Sequence, residues 1–454
     1  MNRQRFSATG FLIIFLSIFF WTSSQTWASP VNIAPVGPVT PVTFDEKLIN
    51  PADNRLVLDF MEVDAVLSPA FTTPKSDIGR TVSTVLYVHV YATGDFLLLT
   101  GLIESLEPEF VCDLFSVVFP MSTLEGLSFD VYYGYTLDDG TLRYSAYRVT
   151  LVRKYKDISY VEENPQERQR LDVYYPEGIA HPTVLMFVSG GAWRQGDKDL
   201  YEELARTFSG HYGYTTVVIN YRLSNQDDGA AVHPDHVEDV ADAFAWVKRN
   251  IASYDGDPGS VYLFGQSAGA HLVSLFSTDD KYLKANGFNL SDIRGAVSMS
   301  GVYNLYDFSK YPMNPLGLSP EEILMYKVML LDAFGGWDKT TLDGASPWQF
   351  INKRQPPMLV ISTENDMPGF EMEAEKFITF VQEAGLGISM EGAKIAISDY
   401  SSATWATATA MAAAEPAVSA YVGHYAEMVA INTVEYNSRS TRLVVDFIAA
   451  HSRM

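Results

Sequence analysis

The spacing of apolar and polar residues changes near residue 156 and divides the sequence into two parts. Between residues 55 and 155, short runs of β-branched and aromatic residues alternate with turn signals, which is typical of an all-β domain. The turn signal Asp138-Asp-Gly140 lies between two such runs, at 129–135 and 142–152, and predicts a β-hairpin. We therefore expect a small, sandwich-like β domain over residues 55–155.

Residues 156–454 show a different pattern, in which continuous apolar runs alternate with amphipathic segments. Continuous apolar runs are typical of strands that are buried on both faces, whereas residues 234–251 carry apolar positions at three- and four-residue steps, as a helix does. The predicted strands are 169–176, 183–189, 215–221, 261–264, 295–300 and 357–362. Strands that alternate with helices predict an α/β fold with a doubly wound, mainly parallel sheet.

Two long stretches interrupt this alternation. Residues 303–348 connect two strands and contain a helical segment near 320–331. Such an insertion is expected over the strand ends, where ligands bind in open α/β sheets. Residues 385–416 include an Ala/Thr-rich run, 404–415, which fits either a helix that packs small side chains or a mobile lid.

Residues 1–28 have the pattern of a secretory signal peptide. Two arginines precede the apolar run 11–21, and small residues follow near Ala28, where we expect cleavage. The apolar run is too short to span a bilayer comfortably, so we expect no stable membrane anchor after cleavage. Residues 29–54 begin with several prolines and predict a linker or extended arm. The expected location is periplasmic or secreted.

Composition narrows the possible partners. The chain of 454 residues is 47% hydrophobic and 19% charged, with a formal net charge of −23, so it is globular and repels nucleic acids and anionic membranes. The single cysteine, Cys112, excludes an intramolecular disulfide. Cysteine and histidine are too sparse for a zinc set, and no glycine-rich phosphate loop precedes a suitable helix. We expect no metal and no cofactor, and the oligomeric state does not follow from the sequence.

A sharp turn from strand to helix is predicted at Gly265-Gln-Ser-Ala-Gly269, between the strand 261–264 and a helix-forming run. This is the context of a nucleophile elbow, in which glycines allow the close approach of strand and helix. Ser267 would stand at the carboxyl end of the strand. The helix N-terminus beneath it would favour developing negative charge.

A serine hydroxyl becomes a nucleophile when a base removes its proton, and the base needs an orienting group. His424 lies after the last strand-like region and just before a helix, where the chain order serine, acid, histidine puts the base. Asp366 follows the strand ending at residue 362 and is the preferred orienting acid, with Glu364 as the nearest substitute. His271 lies one turn beyond Ser267 and is poorly directed for the same task.

A second glycine pair follows another buried strand, in the segment Ser-Gly-Gly-Ala-Trp at 189–193. The amides of Gly190 and Gly191, together with that of Ala268, are candidates for an oxyanion hole. A plain Gly-Gly turn is the alternative. Three further side chains are candidates for substrate binding: Trp193, Tyr221 and Gln266.

Taken together, these motifs resemble the α/β-hydrolase esterases of the His-Gly-Gly type. The motifs are Ser-Gly-Gly-Ala-Trp at 189–193, Asn-Tyr-Arg at 220–222, Tyr-Asp-Gly-Asp-Pro at 254–258 and Gly-Gln-Ser-Ala-Gly-Ala-His at 265–271. The resemblance covers about residues 157–454 and is greatest to the branch of prenylcysteine methylesterases, arylformamidases and enzymes related to feruloyl esterases. It implies that Ser267 is the nucleophile, Asp366 the acid and His424 the base. It also implies that the amides of Gly190, Gly191 and Ala268 form the oxyanion hole.

The chain departs from the pattern of this family at two points. Ser189 occupies the place of the family's histidine, and residues 385–416 lengthen the spacing between the acid and the base. The resemblance predicts a secreted serine hydrolase that cleaves a small-molecule carboxylic ester through an acyl-enzyme. Two alternatives stay open: an amide, formamide or peptide hydrolase on the same fold, and a non-catalytic binding protein on a hydrolase scaffold.

Overall fold

The computed structural model divides the chain into two units. The first comprises Met1–Arg153 and Pro176–Ile179, and the second comprises Lys154–Tyr175 and Ala180–Met454. The structure describes residues 4–7, 39–41, 55–59, 63–67, 70–72, 75–90, 96–103, 105–106, 109–113, 115–119, 129–139, 142–176, 179–224, 231–310, 320–414, 420–432 and 438–452. Most of the signal peptide and linker predicted for 1–28 and 29–54 lies outside these residues.

In the first unit, every described helix or strand is a β-strand. The strands are Gln4–Ser7, Val39–Pro41, Arg55–Asp59, Val63–Leu67, Ala70–Thr72, Val82–Val90, Phe96–Ile103, Glu109–Asp113, Phe115–Phe119, Phe129–Thr136 and the first part of Leu142–Ser159. Val82–Val90 pairs antiparallel with Phe96–Ile103 and with Phe129–Thr136. The predicted hairpin corresponds to the antiparallel pair in which Thr136 lies opposite Leu142.

The second unit is built on a mainly parallel sheet. Its strands are β1 (Leu142–Ser159, of which residues 154–159 belong to this unit), β2 (Arg170–Pro176), β3 (Val184–Val188), β4 (Thr215–Ile219), β5 (Val261–Gln266), β6 (Gly295–Met299), β7 (Met358–Thr363) and β8 (Met390–Ile395). They are ordered β8-β7-β6-β5-β3-β4-β2-β1. β2 is antiparallel to β4, whereas the pairs from β4 through β3, β5, β6 and β7 to β8 are parallel. The predicted α/β sheet is therefore confirmed.

Helices connect and cover these strands. The α-helices are α1 (Glu202–Arg206), α2 (Asp235–Asn250), α3 (Ala268–Thr278), α4 (Asp280–Ala285), α5 (Leu305–Phe308), α6 (Pro320–Phe334), α7 (Lys339–Gly344), α8 (Phe370–Glu383), α9 (Ser402–Ala413), α10 (Val422–Ile431) and α11 (Arg439–His451). Short 3₁₀ segments lie at Lys198–Tyr201, Ile251–Tyr254, Leu290–Asp292, Pro347–Phe350 and Ile397–Asp399, and a π-helical turn lies at Thr207–His211. None of the helices in the described part of the chain has the length and apolar character that a bilayer crossing needs.

Burial explains the continuous apolar runs of the sequence, because every residue of β3, β4, β5, β6 and β7 is buried. Helix α3 packs against β5 and β6, and α8 packs against β7 and β8. The carboxyl ends of β5, β6 and β7 therefore meet along one edge of the sheet, and Ser267, Ser300 and Asp366 follow these ends.

The two predicted insertions contain regular structure. Residues 303–348 include α5, α6 and α7. The Ala/Thr-rich run forms α9, in which Thr404, Ala408 and Ala412 are buried, and Ala408 packs with Ala426 and Val429 of α10. The run therefore corresponds to the first of the two interpretations, a helix that packs small side chains.

Candidate active site

Ser267 lies in the sharp turn between β5 and α3. Its backbone has φ 56° and ψ −120°, a conformation that is rare for a residue with a side chain. The Ser267 amide donates to the Met299 carbonyl at the end of β6, with an N···O distance of 2.8 Å. The turn is thus tied to the neighbouring strand, and the half-buried serine is held at the strand end.

The glycines on either side of the serine have no room for a Cβ atom. At Gly265 a Cβ would lie 2.3 Å from the Gly269 carbonyl oxygen, and at Gly269 it would lie 2.1 Å from the Val188 carbonyl oxygen. Strand β5, helix α3 and strand β3 therefore approach each other at distances that only glycine permits. This packing is the physical reason for the Gly-x-Ser-x-Gly pattern here.

His424 meets Ser267 although 157 residues separate them in the sequence. The Nε2 atom of His424 lies 3.0 Å from Ser267 Oγ, and its Nδ1 atom lies 2.7 Å from Asp366 Oδ1. The Phe370 ring packs edge-on against the imidazole, with the ring centroids 5.3 Å apart. These contacts form one hydrogen-bonded chain from serine through imidazole to carboxylate, the geometry that a general base and its orienting acid require.

Asp366 lies in the loop after β7, and its side chain is 1% exposed. Besides the imidazole, it accepts hydrogen bonds from the Met367 amide at 2.7 Å and from the Ser300 hydroxyl at 2.5 Å. Three donors thus bond to one buried carboxylate, and together they fix its orientation. The substitute acid, Glu364, instead accepts a hydrogen bond from the Ile397 amide.

The loop after β3 carries the predicted oxyanion amides. Gly191 has φ +114°, and a Cβ there would lie 2.2 Å from the Gln195 carbonyl oxygen, so the tight turn requires glycine. A Cβ at Gly190 would lie 2.9 Å from the Cβ of Ser267, which shows how closely the loop approaches the elbow. The Gly190 amide, however, faces the hydroxyl of Tyr201. Burial raises the pKa of this phenol to about 12, and the nearby amide partly offsets the rise. The amides of Gly191 and Ala268 are the two candidates without this competing contact.

Two tyrosines hold this loop from beneath. The Tyr201 hydroxyl faces the Gly190 amide, and Tyr221 donates its hydroxyl to the Ser189 carbonyl oxygen at 3.2 Å. Burial raises the pKa of Tyr221 far above its usual range, so the phenol stays a neutral donor. These contacts brace the loop at the position where the related family carries a histidine and this chain carries Ser189.

The three candidates for substrate binding are deeply buried. Trp193, Tyr221 and Gln266 have exposed fractions of 2%, 1% and 3%. The Trp193 ring packs edge-on against His271 and Phe334, and the Gln266 side chain lies against Gly190. Their contacts are with protein groups that support the loop and the elbow, and this burial does not favour a substrate-binding role.

The other histidines near the site are neutral and serve the core. Burial lowers the pKa of both His236 and His271 to about 3, and that of His233 to about 4. His271 donates from Nε2 to the Ala345 carbonyl at 2.8 Å, and His236 Nε2 lies 2.8 Å from the Ser224 hydroxyl. His271 is thus directed away from Ser267, as expected from its position one helical turn along.

Comparison with known proteins finds relatives of the segment that carries this site. Residues 171–377 match the model of a protein family described as BD-FAE. LipM of Mycobacterium tuberculosis, a probable carboxylic ester hydrolase, is 33% identical over 216 residues, which cover 46% of this chain and 47% of the relative. ICME of Oryza sativa subsp. japonica, a probable isoprenylcysteine alpha-carbonyl methylesterase, is 34% identical over 145 residues, which cover 31% and 34%.

A solved structure with the same fold is esterase B from Lactobacillus rhamnosis. It superimposes with a TM-score of 0.50 at 19% identity, over 66% of this chain and 86% of that chain. The second unit, called the hydrolase domain below, has the α/β-hydrolase fold, and its sequence is similar to those of esterases. The matched segment of this hydrolase domain includes Ser267 and Asp366 but ends before His424. The chain spans about half the length of the first curated relatives, 47% of LipM and 53% of the esterase LipQ from the same organism.

Sequence reasoning about the hydrolase domain missed three side chains: Tyr201, Ser300 and Glu427. Tyr201 ends the 3₁₀ segment Lys198–Tyr201, and nothing local in the sequence connects it to the loop at 189–193. Ser300 directly follows β6, so its place at a strand end was a usable signal. Glu427 follows His424 by three residues, a spacing that puts both on one helix face.

Proposed function

We propose that this protein is a serine hydrolase that cleaves carboxylic esters through a triad of Ser267, His424 and Asp366. The observation that carries the proposal is the hydrogen-bonded chain from Ser267 Oγ to His424 at 3.0 Å and on to Asp366 at 2.7 Å. Support also comes from the similarity to proteins named as carboxylic ester hydrolases and esterases.

In the acylation step, His424 Nε2 takes the proton of Ser267 while Oγ attacks the ester carbonyl carbon. The buried Asp366 carboxylate stabilises the imidazolium that forms and keeps its Nδ1–H directed away from the serine. When the tetrahedral intermediate collapses, the bond to the alkoxy group breaks and His424 donates its proton to the leaving alcohol. Ser267 then carries the acyl group.

In the deacylation step, His424 takes a proton from water, which attacks the acyl carbon. A second tetrahedral intermediate forms and collapses, the carboxylic acid leaves, and Ser267 regains its proton. In both intermediates, the negative oxygen would be bound by the amides of Gly191 and Ala268. The N-terminus of α3 adds favourable electrostatic potential at the same point.

The proposed substrate is a small-molecule ester, because the relatives that match the hydrolase domain carry ester-hydrolase names. The net charge of −23 disfavours polyanionic substrates. Export is proposed on the pattern of residues 1–28. If the full chain is expressed in a bacterium, the mature protein is expected outside the cytoplasm with an N-terminus near Ala28, which N-terminal sequencing would detect.

The decisive experiment compares the parent protein with Ser267→Ala on short-chain aryl esters and with a fluorophosphonate probe. The variant is expected to lose at least about 10³-fold in kcat and all labelling, since the nucleophile is gone. Ser398→Ala, an exposed serine, serves as the matched control and is expected to behave as the parent. Equal rates for Ser267→Ala and parent would overturn the proposal. Parallel assays on formamide and peptide substrates would reveal an amide hydrolase.

A further inference from the structure

Glu427 is a second acid directly behind the triad. It lies three residues after His424 on α10 and has an exposed fraction of 0%. One side-chain atom each of Asp366, His424 and Glu427 lies within 4.8 Å of the others. Neither carboxyl oxygen of Glu427 has a hydrogen bond of standard geometry among the described residues. A buried carboxyl without a strong partner is costly, so its protonation state needs a physical explanation.

Ser300 lies between the two acids. It is 1% exposed, has φ +51°, and donates its hydroxyl hydrogen to Asp366 Oδ2 at 2.5 Å. The same hydroxyl is within reach of the Glu427 carboxyl. A serine has one hydrogen to donate and lone pairs to accept. The Ser300 hydrogen is already donated to Asp366. Ser300 can therefore form a hydrogen bond with Glu427 only as the acceptor, and this requires the Glu427 carboxyl group to carry a proton.

The surrounding charges point the same way. The titratable groups that face Glu427 are Asp366 from the loop after β7, His424 from its own helix, Tyr303 after β6 and Tyr400 after β8. No lysine or arginine in the described part of the chain forms an ion pair with it. Burial, followed by the negative charge of Asp366, raises the pKa of Glu427 well above its usual range. Two carboxylates at this distance do not both ionise in a buried site.

We propose that Glu427 is an uncharged carboxylic acid in the working protein and that it positions Asp366 through Ser300. In this arrangement Ser300 donates to Asp366 Oδ2 and His424 Nδ1 donates to Asp366 Oδ1, and the proton of Glu427 would be directed at the Ser300 oxygen. The charge of Asp366 therefore stays directed at the imidazole. Glu427 is a positioning residue and does not touch the substrate, and its role rests on the proposed function.

The protonation of Glu427 is tested by comparing Glu427→Gln with the parent. Glutamine has the same shape, is neutral, and donates an amide hydrogen to Ser300. Its kcat/KM is expected within about threefold of the parent, and the acid limb of its pH–rate profile is expected to stay in place. Infrared difference spectra at pH near 7 are expected to show a protonated carboxylic acid in the parent that is missing in Glu427→Gln.

The positioning role is tested with Glu427→Leu and with Ser300→Gly, since glycine tolerates the left-handed backbone at residue 300. Each is expected to lower kcat by about 10-fold with little change in KM, and the double variant is expected to lose no more than either single one. Circular dichroism of each variant reports whether it is folded. Rescue of activity by glutamine but not leucine at residue 427 is the signature that a purely structural role would not give.

Three results would overturn this inference. The first is a downward shift of the acid limb of the pH–rate profile by about one pH unit in Glu427→Gln, which the loss of a nearby negative charge would cause. The second is the absence of a protonated-acid infrared signal in the parent. The third is full activity in Glu427→Leu. If the parent itself neither hydrolyses esters nor labels with a fluorophosphonate, the proposed function fails. The infrared comparison still reads the state of Glu427 in that case, so the two failures are distinguishable.

Discussion

The amide nitrogen of Gly423 lies 3.0 Å from the carbonyl oxygen of Asn365. These residues directly precede His424 and Asp366, so one backbone hydrogen bond joins the loop of the acid to the helix of the base. Asn365 has φ +58°, and a Cβ at Gly423 would lie 2.0 Å from the Glu364 carbonyl oxygen. The base approaches the acid this closely because residue 423 has no side chain.

Replacing Gly423 with alanine is expected to separate the acid from the base. The added methyl group would clash with backbone atoms, so we expect a loss of about 2–4 kcal/mol in the free energy of unfolding and at least a tenfold lower kcat. Urea denaturation and ester hydrolysis measure the two effects. Gly344→Ala is the control, because a Cβ there meets no atom within 4 Å. A fully active Gly423→Ala protein would contradict the inferred constraint.

Removing the hydroxyl groups of Tyr201 and Tyr221 is expected to loosen the oxyanion loop. Tyr221→Phe leaves the Ser189 carbonyl without its donor, and Tyr201→Phe removes the hydroxyl that faces the Gly190 amide. Losing such a hydrogen bond costs about 1–2 kcal/mol, so kcat is expected to fall by about 5- to 30-fold with a smaller change in KM. The half-exposed Tyr155 provides the control as Tyr155→Phe. A change confined to KM would instead favour contact with the substrate.

Asp366→Asn is expected to lower kcat by on the order of 10³- to 10⁴-fold, because the amide neither stabilises the imidazolium nor enforces the productive tautomer of His424. Glu364→Gln is the matched control, since this nearby acid bonds to the Ile397 amide and not to the imidazole. It is expected to retain the activity of the parent. Steady-state kinetics on an aryl ester distinguishes them, and equal losses in both variants would argue against Asp366 as the orienting acid.

Two buried histidines are expected to make the hydrolase domain sensitive to acid. Burial lowers the pKa of His236 and of His271 to about 3 in the folded protein, whereas the unfolded chain binds these protons near pH 6.5. The unfolded state therefore binds more protons below pH 6.5, and stability falls as the pH drops from there toward 3. Each histidine contributes a slope of about 1.4 kcal/mol per pH unit.

Urea denaturation at several pH values measures this dependence. His271→Gln is expected to lose stability less steeply than the parent between pH 6.5 and 4, even if the variant is less stable at neutral pH. The exposed His181 provides the control, because His181→Gln is expected to keep the slope of the parent. Parallel slopes for His271→Gln and parent would show that His271 does not contribute.

The buried strands could be predicted from the sequence because they lie in one continuous apolar core. The runs at 183–189 and 215–221 became β3 and β4 within two residues at each end. Strand β8 was missed, because Met390 and Ile395 are its buried ends and the residues between them are partly or fully exposed. An edge strand with this burial carries neither an apolar run nor an alternating pattern.

At the site, the sequence predicts the residues that are recognisable by their type and their order along the chain. It does not predict the residues that reach the site only through tertiary packing. Ser267, Asp366 and His424 stand out by type and chain order, and the structure brings their side chains together. Tyr201 reaches the loop after β3 through tertiary packing, and no spacing rule links the two. Trp193 was a plausible pocket residue by its position after the glycines, but its large ring is used to fill the core beneath the loop.

Strand β8 and helix α9 both lie between Asp366 and His424 in the sequence. The Asn365–Gly423 hydrogen bond nevertheless joins the two ends of this segment. Residues can be inserted into or deleted from such a segment while the contact between its two ends is preserved. The length of chain that separates Asp366 from His424 can therefore vary without moving the two side chains apart, which accounts for how far apart they lie in this sequence.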